Sequence, residues 1–165
     1  MIAKPYKKIV RGSLILLIAF NIFNFLNFLF QFFMARVLTA AEYGILAALF
    51  AIIYITTIFS ESIQTVISKY AAQEPSQGRL RNLIRRSMNK SALVAFMLFI
   101  LYLFFAIPLS ALLKITYPLL ALHGLIIFAA FLTPIPRGIM QGKQLFTNLG
   151  INLIIESASK IGFAL

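Results

Sequence analysis

The chain has no cysteine, no tryptophan and no aspartate, and its 165 residues include only four glutamates and one histidine. Without cysteine there is no disulfide and no thiolate metal site. Without aspartate, and with a lone histidine, neither a Ser-His-Asp triad nor a typical zinc site can be assembled. The sequence therefore predicts no enzyme, no metal and no cofactor. What is present in excess is apolar: 61% of the residues are hydrophobic, and 17 are phenylalanine. A soluble domain of this size does not need that much apolar surface, whereas several membrane spans do. The net charge of +11 does not point to nucleic acid. The basic residues fall in short links between apolar runs, which is the pattern that sets membrane topology.

The fold class expected is all-α: a polytopic membrane helix bundle of about five transmembrane helices. The spans fall at about 12–35, 43–68, 91–113, 119–136 and 144–165, the last still running at Leu165. Residues 1–11 form a basic N-terminus with Lys4, Lys7, Lys8 and Arg11. The apolar run after it is too long for a cleaved signal peptide, so an uncleaved first helix is expected. Residues 69–90 form a second basic segment. From Arg79 it reads as an amphipathic helix, with Leu80, Leu83, Ile84 and Met88 on one face and Arg81, Arg85 and Arg86 on the other. Such a helix suits either the membrane interface or a solvated loop. Pro134 and Pro136 are expected to end the fourth span, leaving Arg137 to Lys143 as a basic link. Twelve basic residues on one side of the membrane against two on the other place the N-terminus in the cytoplasm of a multi-pass cell-membrane protein.

Polar residues inside the spans carry the functional reading. In the first span Asn21, Asn24, Asn27 and Gln31 recur at spacings of 3, 3 and 4, within an arc of about 120° on one helical face. In the second, Thr57, Glu61, Gln64 and Ser68 recur at i, i+4, i+7 and i+11. In the fifth, Asn148, Asn152, Glu156 and Ser159 do the same at i, i+4, i+8 and i+11. Any one stripe could be interhelical hydrogen bonding, and Glu156 could simply pair with Lys160 one turn on. Three stripes together favour a shared hydrated interior for spans 1, 2 and 5, with spans 3 and 4 toward lipid. His123 is expected to be a packed or interfacial histidine rather than a proton relay.

Several runs also resemble a known family. Ala35-Arg36-Val37-Leu38 with Glu42-Tyr43-Gly44-Ile45-Leu46 resembles the first outer loop of the polysaccharide biosynthesis flippases, exporters of oligosaccharide-lipids in the multidrug/oligosaccharidyl-lipid/polysaccharide superfamily. Ile63 to Tyr70 resembles the end of their second helix. Arg137-Gly138, Gln141-Gly142, Phe146, Asn152-Leu153 and Glu156 resemble their inner link and fifth helix. The resemblance covers about residues 12–165. It implies about a dozen helices in two lobes, alternating access, and a polyprenyl-linked oligosaccharide as substrate. Arg36 matches a recurrent arginine of the family and is expected to contact an anionic head group. The amides and hydroxyls are expected to contact sugar. Five spans are then less than one lobe, as in an N-terminal fragment or split-gene product. The partners implied are membrane lipids, the lipid-linked oligosaccharide, and a missing C-terminal lobe or glycan-assembly proteins. A small assembly subunit without transport, and a drug or ion exporter of the same superfamily, are the alternatives.

Overall fold

The computed structural model describes residues 3–162, with side chains from residue 10 onward. Six helices follow in order: α1 (Ala3–Val37), α2 (Ala40–Gln73), α3 (Gln77–Leu113), α4 (Tyr117–Leu132), α5 (Pro134–Gly142) and α6 (Phe146–Gly162). Four stretches are long and apolar enough to cross a bilayer: Val10–Val37, Ala40–Gln73, Gln77–Leu113 and Tyr117–Gly142. The fifth expected span is α6, whose 17 residues rise about 26 Å. Helix is the forced answer for such runs, because lipid offers backbone amides no other partner. The all-α, multi-pass membrane class is as expected. Residues 163–165, where the fifth span was expected to continue, lie outside the described residues, as do the side chains of Lys4, Lys7 and Lys8.

Local chemistry explains the breaks. Two residues separate α1 from α2, and Thr39 with Glu42 forms a capping box across the start of α2. The Thr39 backbone N–H and hydroxyl both donate to Glu42 Oε2, at 2.9 and 2.8 Å. Pro75 stops α2. The Glu74 carboxylate then accepts from the Ser76 N–H at 3.1 Å and pairs with Arg79 at 3.0 Å. The polar stretch 69–90 is thus almost wholly helical, interrupted only at 74–76. Its basic part is the first 14 residues of α3, continuous with the third span, because charge alone does not break a helix. Leu80, Leu83, Ile84 and Met88 are half-buried there, and Arg81, Arg85 and Arg86 are exposed. At its other end α3 closes on Lys114, whose left-handed backbone (φ 53°) lets its N–H reach Ser110 O.

One boundary differs from expectation. Pro134 and Pro136 do not end the helical path; they open α5, which carries Arg137 and Gly138. Proline lacks only an N–H that the first turn of a helix leaves unused. Thr133 keeps helical dihedrals, and its carbonyl accepts the Arg137 N–H at 3.4 Å.

Contacts divide the chain into two compact units, Met1–Tyr43 with Met140–Leu165, and Gly44–Ile139. In the first, α1 packs on α6. In the second, α4 is the central helix: Leu120, His123, Gly124, Ile127 and Phe131 are all buried. Ala95, Ile127 and Phe131 form one core cluster, and Ala106, Ile115 and Leu120 another. The opposite face of α4 is open, with Leu119, Leu122, Leu125 and Ile126 exposed, so span 4 packs on protein along one side and turns an apolar surface outward on the other. A helix that is apolar all round reads the same whether lipid or protein surrounds it. Along α3, Leu93, Phe96, Met97, Ile100, Phe104 and Ile107 are exposed, as a lipid-facing surface requires.

Candidate functional site

In the first unit, α1 and α6 meet through small residues and then through polar ones. A Cβ added at Gly12 would overlap the Phe146 ring, and one at Gly150 would lie 2.9 Å from Ala19 Cβ. Leu149, Gly150, Leu153 and Ser157 form the buried face of α6. This close approach brings Lys160 across to α1. Its Nζ donates to Asn27 Oδ1 at 3.2 Å and pairs with Glu156 Oε1 at 3.5 Å, one turn back on its own helix. The Phe23 ring centroid is 5.6 Å from the same ammonium. Lys160 and Glu156 keep about a third of their side chains accessible, at 33% and 38%.

Asn27 stands 17 residues after Val10 and 10 before Val37, the ends of the apolar stretch. Those separations correspond to roughly 25 and 15 Å along the helix axis, so the Asn27–Lys160 contact lies inside the membrane. An ammonium at that depth needs polar neighbours or water. Asn27 is itself held, because its Nδ2 donates to Phe23 O at 2.8 Å. That bond turns the amide oxygen toward Lys160.

The remaining predicted residues fall as follows. Asn21 is exposed and donates to Leu17 O at 2.8 Å; Asn24 is exposed. Gln31 is half-buried and accepts from the Tyr43 hydroxyl at 3.3 Å. Arg36 is exposed, with its guanidinium 4.4 Å from the Phe32 ring centroid, a cation–π stack one turn back along α1. Asn152 is exposed and Glu156 half-buried on α6. Thus the stripes of α1 and α6 meet at Asn27, Glu156 and Lys160.

The stripe of α2 belongs to the second unit. Glu61 is exposed, Gln64 is half-buried, and Thr57 donates to Ile53 O and Tyr54 O within its own helix. The buried hydroxyls of α2 are instead Thr56 and Ser60. Ser60 donates to Ala130 O of α4 at 2.8 Å, joining residues 70 apart in sequence. Gly138 of α5 lies against α2 so closely that a Cβ there would sit 2.7 Å from Gln64 O and 2.9 Å from Ile67 Cβ. His123 is 4% exposed, with Nδ1 2.9 Å from the Tyr102 hydroxyl. Its Nε2 has no hydrogen-bond partner among the described residues. Of the packed and interfacial placements expected for this histidine, its burial matches the packed one.

Sequence reading missed Lys160 as a cross-helix residue, because spacing along one helix reveals only the Glu156 pair. It also missed Ser60 and Tyr102, whose partners lie on other helices. An intramembrane lysine was the available signal for the first. Among the described residues no group of three His, Cys, Asp or Glu side chains could hold a metal ion.

Against known proteins, no curated protein and no solved structure matches this chain. One family does, described as polysaccharide biosynthesis protein, over residues 9–165. That stretch contains the α1–α6 contact, the α2 stripe and the Arg137-Gly138 turn of α5, and it is nearly the whole sequence; this multi-pass membrane protein belongs to the polysaccharide biosynthesis protein family.

Proposed function

We propose that the protein takes part in moving a polyprenyl-linked oligosaccharide across the cell membrane during polysaccharide synthesis, by alternating access and without chemical conversion. The observation that carries this reading is the Lys160 ammonium held at membrane depth by Asn27 and Glu156. An intramembrane ion pair is costly, and such groups mark the paths of polar or ionic cargo. The accessible amides Asn21, Asn24 and Asn152 supply donors and acceptors suited to sugar hydroxyls. Family membership supplies the glycan context. Arg36, stacked on Phe32 at the end of α1, is suited to an anionic head group at the membrane surface. The excess of basic residues on the side of the N-terminus and of residues 69–90 favours placing that side in the cytoplasm. The whole transporter would require a second lobe or further glycan-assembly proteins as partners.

The test is surface glycan export in cells whose own gene is deleted and replaced by variants. Asn24→Leu, Glu61→Leu and Glu156→Leu, each at unchanged protein level, are expected to lower export. Normal export from all three would overturn the reading and leave a structural or assembly role.

A further inference from the structure

An ammonium has three N–H donors, and two of Lys160's are directed at known acceptors. Asn27 Oδ1 takes one at 3.2 Å and Glu156 Oε1 another at 3.5 Å. The third has no oxygen acceptor among the described residues, and the nearest aromatic face, Phe23, is 5.6 Å from the nitrogen. That separation is near the outer limit of cation–π contact. One-third of the side chain remains accessible. Both existing contacts are also longer than the roughly 2.7–2.9 Å of a tight charge-assisted bond. The ammonium is therefore held in place without being saturated.

We infer that Lys160 is a ligand-binding residue whose open donor takes an anionic phosphate oxygen, while Asn27 and Glu156 hold the ammonium at membrane depth between binding events. The inference rests on the translocation reading and deepens it, by assigning the cation that meets the diphosphate of a lipid-linked sugar. Glu156 competes with that ligand. It neutralises Lys160 when the site is empty, which lowers the cost of an unpaired charge in the membrane. It must also yield part of its hold when phosphate arrives. Asn27 is uncharged, so it positions the amine without competing for its charge.

This arrangement predicts opposite signs for two conservative substitutions. The purified full chain, in nanodiscs of zwitterionic lipid, is titrated with radiolabelled farnesyl diphosphate. Inorganic pyrophosphate and farnesol serve as parallel arms. Lys160→Gln is expected to weaken farnesyl diphosphate binding about tenfold, and Glu156→Gln to tighten it roughly threefold. Lys160→Arg should retain most of it. If the pair were only a structural clamp, both neutral variants would weaken binding together, and that result overturns the inference. Equal binding by wild type and Lys160→Gln, with unchanged helical content, overturns it as well and leaves the translocation reading standing. No diphosphate binding by the wild-type chain overturns both. Competition by pyrophosphate but not by farnesol supports the assignment to phosphate; competition by farnesol alone assigns binding to the lipid tail and overturns it.

Discussion

Lys160 Nζ lies 3.2 Å from Asn27 Oδ1, joining two helices whose contact residues are 133 positions apart. The contact exists because α1 and α6 approach closely further along, where Gly150 faces Ala19. Small residues let two backbones come together, and a long side chain then spans the remaining gap.

Replacing Asn27 with leucine should remove the amide that holds the Lys160 ammonium. The expected loss of stability is about 1 kcal/mol, since hydrogen bonds between membrane helices average ~0.6 and rarely exceed ~1.7. Reversible unfolding in mixed micelles measures it. An Asn27→Leu/Glu156→Leu/Lys160→Met triple variant should recover part of the loss, because the three polar partners are then removed together.

Gly150→Val should separate α1 from α6. The added Cβ meets another Cβ at 2.9 Å, a rigid neighbour that cannot rotate away, and overpacking of this kind costs about 1–3 kcal/mol. Ala19→Gly in the same chain is expected to restore much of it. If thermal unfolding shows Gly150→Val unchanged, the two helices do not approach as described.

In the second unit, Gly138→Ala should be more damaging than its size suggests. Its Cβ would meet a backbone oxygen, Gln64 O, at 2.7 Å, and moving that atom means moving α2. Ser60→Ala, by comparison, loses one hydrogen bond to Ala130 O and is expected to cost only about 0.6 kcal/mol. Unfolding of the two variants side by side checks the order, with Gly138→Ala expected to be the less stable.

Tyr102→Phe should strand Nδ1 of His123. The Tyr102 hydroxyl lies 2.9 Å from Nδ1 of the buried ring, and leaving a buried polar atom unpaired costs about 1–3 kcal/mol. Tyr102→Phe combined with His123→Leu is expected to be more stable than Tyr102→Phe alone. A double variant no better than the single one would show that the polar pair contributes nothing.

The absence of cysteine makes the topology directly measurable. Ala41→Cys, in the first turn of α2, and Gln77→Cys, at the start of α3, are expected to lie on opposite sides. A membrane-impermeant maleimide added to intact cells should label residue 41 and spare residue 77. The reverse pattern would invert the proposed orientation.

The sequence alone determined the class of structure. Uncharged runs such as Gly12–Ala35 leave the backbone no alternative to helix in lipid, and the resembling motifs lie inside the stretch that matches the family. It also located Asn27 and Glu156, because helical spacing places polar residues on a face. Tertiary structure decided which faces meet. A stripe has a direction but no partner, so Lys160 read as a neighbour of Glu156 and not as the link to Asn27. It also decided that one face of α4 is buried and that Pro134 and Pro136 open a helix. Leu120 and Ile127 look the same in lipid as in protein, because both surroundings are apolar, and a proline's missing N–H matters only where an acceptor stands behind it.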